Sequence, residues 1–391
     1  MKNKTKEYQF IGLEETLHEI RSASFKKSHN NRTLDEAYLE LKKNIYETQN
    51  NVVLGAMKDG IDQCIKNIKD KIEAFHSKDC QTSSDDIATL LDSSIVFLND
   101  HGPEHVDKVI ERANLIVSNF NINTLSEFEI FILLCAIQIH DVGNILGRSG
   151  HEKNARDIFD KACSNIILDG PEKRVIQSIA MAHGGKNLSG SRDTISGLPP
   201  NEPLYGFQIR TRLLASILRF SDELADDSSR ANRVALDLNI LGVDSLIFHC
   251  YSKALHTVTL EKDNENGDYK VVLVFELEVD GLKQLYDYCG SKKYIIDEIY
   301  NRTIKMELER RYCMKFIYPY LNIGRLDIRI NIYGGQQFEL IKKLNYVLED
   351  VCYPETSVMS QLDELKRRGC PSGEQLLTDL GLCEVSDEKN D

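Results

Sequence analysis

Along the first 90 residues polar positions dominate, and the apolar ones recur at three-to-four spacing: Leu39, Leu41 and Ile45, then Met57, Ile61, Ile65, Ile68 and Ile72. That spacing predicts helices with one mostly solvated face. Turn formers gather at 77–85 (SKDCQTSSD) and mark a boundary. From about 91 to 235 the stripes are cleaner. Val106, Val109, Ile110, Ala113, Ile116, Val117 and Phe120 share one helical face, and 130–139 is apolar nearly all round, as a buried helix requires. Further helical patterns run through Ala155, Ile158, Phe159, Ala162 and Ile166, then from Pro171 through Val175, Ile176 and Ile179, and finally from about Tyr205 to Ala225. The stretch 184–203, rich in Gly, Ser, Asn and Pro, reads as a long loop of the kind often found over a site.

Near 236 the period changes to two. Strands are expected at 245–251, 256–261 and 269–278 (YKVVLVFELE), with a turn at 264–268. A helix from about 282 to 312, a strand at 327–333 (DIRINIY) and a helix from 337 to 348 complete an α+β segment, and the acidic end 386–391 is expected to fray. The fold class is therefore mainly α: a helical core followed by a C-terminal α+β domain. The expected divisions are 1–90, 91–235, 236–353 and a tail at 354–391.

Composition narrows the function classes. With 41% hydrophobic and 28% charged residues, 23 Gly and 8 Pro, the 391-residue chain is neither collagen-like nor wholly disordered. Its 48 Lys and Arg stand against 61 Asp and Glu, a net charge of −13 that disfavours general nucleic-acid binding. The first ten residues lack the apolar core of a secretory signal, and the longest apolar run is about half of the ~20 residues that span a bilayer. No export and no membrane are expected, and the location expected is cytoplasmic. The ten cysteines show no CxxC spacing, so free thiols in a reducing compartment are expected rather than a zinc ribbon or thioredoxin motif.

Candidate chemistry lies in the histidines, five of which (101, 105, 140, 151, 183) fall in the helical region. His105 flanks an apolar stripe and, taken alone, also fits a satisfied core histidine. His140 and Asp141 close the all-apolar helix, where the pair is desolvated unless something compensates it. His183 follows the face of Ile176, pointing inward. Asp222 continues the line Leu214, Ala215, Leu218, and a lone buried carboxylate is costly unless paired, with Arg219 one candidate, or bound to metal. Several inward imidazoles and two inward carboxylates from separate helices match the preferences of a divalent ion.

The order of these residues resembles the HD superfamily of metal-dependent phosphohydrolases. The resemblance is carried by HGPEHVDKVI, AIQIHDVGN, GHEKNARDIF, AMAHGG and LRFSDELADD, over about 95–230. HGPEH offers two histidines where the family uses one, and His105 is chosen because it is helical. The strands IFHCYSKALHTV and the segment FELEVDGLKQL also look like the C-terminal extension of larger HD proteins. The resemblance implies one divalent metal (Mn²⁺, Mg²⁺, Fe²⁺, Co²⁺ or Ni²⁺) on His105, His140, Asp141 and Asp222. GHEKNARDIF resembles the matching helix of dGTPase-like deoxynucleoside triphosphate triphosphohydrolases, which implies that His151 and Glu152 handle the proton beside Asp141. Glu152 as a mere helix-dipole partner stays open. In bimetallic cyclic-nucleotide phosphodiesterases, the alternative, His151 and His183 hold a second ion.

Phosphate contacts are expected from Arg148 and Lys186, with Lys153, Arg156, Arg192, Arg210, Arg212 and Arg219 also near in sequence. Tyr205 or Phe207 could stack a base or belong to the core. The resemblance further implies a nucleotide substrate, a nucleotide activator, a homo-oligomer, and a role in nucleotide-pool control or antiviral defence. A nucleotide-sensing scaffold without turnover is the non-enzyme alternative.

Overall fold

The computed structural model describes residues 12–17, 33–51, 66, 103–121, 125–143, 151–163, 170–187, 189–228, 243–263, 268–288, 291–335, 338–350, 365 and 369–382. Helix α1 (34–51) starts on a reciprocal cap, in which the Thr33 hydroxyl accepts from the Glu36 amide and the Glu36 carboxylate accepts from the Thr33 amide. Its buried stripe is Leu34, Tyr38, Leu41 and Ile45, while Leu39 faces solvent. Thus α1 belongs to the same core as the helices that follow. The expected boundary at 77–85 and nearly all of 57–72 lie outside the described residues.

Four long helical segments follow: α2 (Pro103–Val117), α3 (Glu127–Ile139), α4 (His151–Ala162) and α5 (Gly170–Met181). Helix α3 is buried from Phe128 to Ile139, as its apolar sequence requires. The expected helix from 205 begins later. Strands β1 (Glu202–Leu204) and β2 (Phe207–Ile209) form a tight hairpin whose turn residues Tyr205 and Gly206 both have positive φ, and α6 (Thr211–Leu224) starts after it. Tyr205 and Phe207 pack against Phe128, so they serve the core.

The second half corrects three expectations. Residues 245–251 are not a strand but lie within α7 (Val243–Ala254), which buries Ile247, Tyr251 and Ala254 at i, i+4 and i+7. The long helix expected from 282 is split. A one-turn α8 (Val279–Lys283) and a hairpin of β5 (Leu285–Tyr288) and β6 (Ser291–Tyr294) precede α9 (Ile295–Ile317). The helix expected at 337–348 is β8 (Glu339–Glu349), the antiparallel partner of β7 (Ile323–Gly334), with Tyr346 and Leu348 buried at period two.

With β3 (Leu255–Lys262) and β4 (Tyr269–Glu278), as expected, these strands make one four-stranded sheet of order β3-β4-β7-β8. Only β4 and β7 run parallel, and the chain between them passes through α9. Helix α9 also packs on α6, which joins the sheet to the helical core. Helix α10 (Gly373–Asp379) lies within the expected tail yet buries Leu376 and Leu377 and packs on α9 and β6. Residues 386–391 lie outside the described set. The architecture is a helical core with a small mixed sheet in the C-terminal region. Among the described residues no helix is long and apolar enough to cross a membrane, and Cys135, Cys163, Cys250, Cys313 and Cys370 are free thiols.

Candidate metal centre

Three helical segments deliver their polar residues to one place. The entry of α3 is fixed by a capping box: the Ser126 hydroxyl accepts from the Glu129 amide at 3.2 Å, and the Glu129 carboxylate accepts from the Ser126 amide at 3.0 Å. The same carboxylate takes a two-pronged ion pair from Arg210 at 2.6 and 2.7 Å, just before α6. The two helices are thereby tied at one end. At the other, α3 is capped by His140, with Asp141 next, and the last turn of α6 carries Asp222. Helix α2 brings His105, whose side chain is fully buried.

His105 Nε2 lies 3.1 Å from Asp222 Oδ1 and 3.8 Å from Asp141 Oδ2. His140 Nε2 lies 3.5 Å from Asp141 Oδ2 and 3.6 Å from Asp222 Oδ1. One donor atom from each of His105, His140, Asp141 and Asp222 falls within 4.8 Å of all the others. Two ligands of one ion are separated by at most about twice a metal–ligand distance of ~2.1 Å, so the four imidazole–carboxylate separations of 3.1 to 3.8 Å lie within that limit and a spread of 4.8 Å exceeds it by only a fraction of an ångström. His140 Nδ1 sits 2.7 Å from the Ile137 carbonyl, which fixes the ring and turns Nε2 toward the carboxylates. His140 Nε2 and Asp222 Oδ1 are buried without a hydrogen bond. Two nitrogens and two carboxylate oxygens gathered in one buried place fit a divalent cation.

The charges respond to this crowding. Burial opposes a charge on His140, but Asp141 and Asp222 outweigh it and raise its pKa to about 9. Burial likewise opposes the charge on Asp222, yet His105 and His140 hold its carboxyl well below the usual range.

The remaining expected residues divide. His183 is not on the helical face but in the turn after α5; its Nδ1 is 2.5 Å from the Ala180 carbonyl, its Nε2 is 3.5 Å from Asp141 Oδ1 and its ring meets that of His140 edge-on at 4.9 Å, so it borders the cluster on the side of Asp141 and His140. His151 opens α4 as expected, but the side chains of His151, Glu152 and Lys153 lie outside the described set, as do His101 and Arg148. Lys186 is exposed three residues beyond His183. Arg219 is not the partner of Asp222. It reaches Glu309 on α9 at 2.6 and 2.9 Å and Thr194 at 2.9 Å, with its guanidinium over the Tyr312 ring.

The loop expected at 184–203 is pinned rather than free. Thr194 donates to the Ala182 carbonyl, the Tyr312 hydroxyl accepts from the Ile195 amide, and Arg212 donates to the carbonyls of Ser196 and Leu198. Beside the cluster, a small pocket is lined by His140 and His183 together with Ala155 and Arg156 of α4 and Gln177 and Met181 of α5. Gln177 and Met181 were missed from sequence. Their only signal is the i, i+4 spacing that puts them on one side of α5, opposite no distinctive motif.

A helical core that gathers His105, the His140-Asp141 pair and Asp222 defines an HD-type domain. The HD-CE family model matches residues 95–302, more than half of the chain, and the protein belongs to that family. No curated protein matches the chain. The match continues past 230 through α7, β3 and β4 into α9. An HD-type domain with a His/Asp site able to hold a divalent metal suggests a metal-dependent phosphohydrolase.

Proposed function

We propose that the protein is a divalent-metal-dependent nucleotide phosphohydrolase that converts deoxynucleoside triphosphates to deoxynucleoside and triphosphate. The observation that carries the reading is the convergence of one donor atom each from His105, His140, Asp141 and Asp222 within 4.8 Å. An ion held by His105, His140, Asp141 and Asp222 would polarise a phosphoryl oxygen and make water a competent nucleophile at neutral pH. Asp222 and Asp141 supply the negative charge that holds it, and His140, fixed through Nδ1, presents Nε2. Helix α4 reaches the site through Ala155 and Arg156. We assign His151, with Glu152 beside it at the start of that helix, to protonate the bridging oxygen of the leaving group. Arg156, Arg148 and Lys186 are the cations assigned to the phosphates. The working unit in this reading is a homo-oligomer controlled by a nucleotide, which light scattering with and without nucleotides tests.

The 3.5 Å approach of His183 Nε2 to Asp141 Oδ1 favours a second reading. A carboxylate with an imidazole at each oxygen can be shared between two ions, as a bimetallic cyclic-nucleotide or oligonucleotide phosphodiesterase would need.

One experiment separates the readings. Metal content is measured on the wild type and on His151→Ala and His140→Ala/Asp141→Ala, and each protein is incubated with Mn²⁺ or Mg²⁺ and a panel of nucleotides, with the products resolved by chromatography. The first reading expects triphosphate from the wild type, loss of metal and activity in the double variant, and a kcat lower by roughly 10²–10⁴ with metal retained in His151→Ala. Loss of a metal equivalent in His151→Ala, with cleavage of phosphodiesters, would establish the second.

A further inference from the structure

A cleft of about 470 Å³ opens at the carboxyl-terminal ends of β4 and β7, the parallel pair of the sheet, and shares no residue with the metal cluster. Open sheets place ligands beyond the carboxyl ends of parallel strands, where the connections diverge. The volume is that of a small-molecule site.

The lining is of two kinds. Ala254 and Ile295 are buried and make an apolar floor. Glu276 and Glu278 are exposed and occupy alternate positions of β4, so both carboxylates project on one side of the strand. Lys253, at the end of α7, and His256, at the start of β3, are exposed and bring hydrogen-bond donors to the same cleft. Phe338, a residue 64% exposed with φ of 51°, completes it. A phenylalanine in the left-handed region is unfavourable, and such backbone strain concentrates at ligand clamps.

We propose that this cleft binds a small aromatic molecule bearing both an amine and an anionic group, separate from whatever the metal cluster acts on. The floor and Phe338 take the two faces of the ring, which removes exposed apolar surface from water. Glu276 and Glu278 accept from the amine, and Lys253 with His256 takes the anion. Rim charges of both signs complement a ligand that carries both groups. Two sources share this chemistry, an aromatic amino acid and a nucleoside monophosphate.

The test is calorimetric titration of the full chain with L-tryptophan and, separately, with adenosine 5′-monophosphate, in the presence of EDTA so that no metal takes part. One of the two is expected to bind with a dissociation constant below roughly 1 mM, and which one identifies the source. Lys253→Glu and Phe338→Ala, both exposed substitutions, should each weaken binding by at least about tenfold, whereas Asp222→Asn should leave it unchanged within about twofold. Failure of both probes to bind, or binding that ignores the cleft variants, overturns the proposal. Because no turnover is read, failure of the phosphohydrolase reading leaves the outcome unaffected.

Discussion

His140 is an imidazole shut between two carboxylates, and without metal that setting decides its charge. Its pKa of about 9 lies above the unfolded value of about 6.5, so protonation stabilises the folded chain. The contribution is complete below about pH 6.5 and is lost as pH rises through about 9. Urea titrations of the EDTA-treated protein should therefore show stability falling across that interval, and His140→Ala should remove much of the slope. A wild-type slope identical to that of the variant would place the titration elsewhere. A metal requires the neutral ring, so apparent metal affinity should rise with pH over the same interval. At this scale the sequence was informative where an apolar helical stripe contained a polar intruder, as at His105, His140 and Asp222. It left the partner of Arg219 open, because the choice between Asp222 and Glu309 depends on where α9 lies, and Glu309 is 90 residues away along the chain.

Elements position these residues through contacts at their opposite ends. Glu129 caps α3 and pairs with Arg210 at the entry of α6, and its carboxylate is 3% exposed. Removing one partner of a buried pair leaves the other uncompensated, so Glu129→Ala should destabilise by about 3 kcal/mol, read as a lower urea midpoint. Metal affinity should fall with it, since α3 and α6 carry three of the four clustered residues. Burial opposes the charge on Glu129, but Arg210 and the Ser126 amide keep its pKa below the normal range. Its contribution is therefore present above the ordinary carboxylate pKa and lost as pH falls below about 4.3. The elements misread from sequence are those whose apolar spacing suits either period. Residues 245–251 place apolar side chains at nearly every position, and 339–349 reads as an amphipathic helix until β7 supplies the hydrogen-bonding partner that makes it a strand.

On the scale of the whole molecule, α1 is part of the HD core. Tyr38 on α1 accepts a hydrogen bond from Gln138, two residues before His140, and donates to Glu14; Lys42 pairs with Asp107, two residues after His105. Burial of Leu34, Tyr38, Leu41 and Ile45 is worth on the order of 10 kcal/mol as an upper figure, comparable to the total stability of a domain. A chain beginning at residue 52 should therefore fail to unfold cooperatively and should bind no metal, as circular dichroism and metal analysis would show; a cooperative transition near that of the full chain would show that α1 is dispensable. The sequence by itself determined the mainly helical core and which polar residues share its inward faces, because helical periodicity and burial are local properties of the pattern. It also placed strand β4, whose residues 269–278 read as a strand. What only the tertiary structure decided was the pairing of distant groups: that α1 joins the core, that Arg219 serves α9, that His183 meets the cluster at Asp141 and His140, and that 339–349 is a strand. Each depends on side chains or backbone far apart in the chain, and a sequence pattern records that a group will be buried but not which partner will satisfy it.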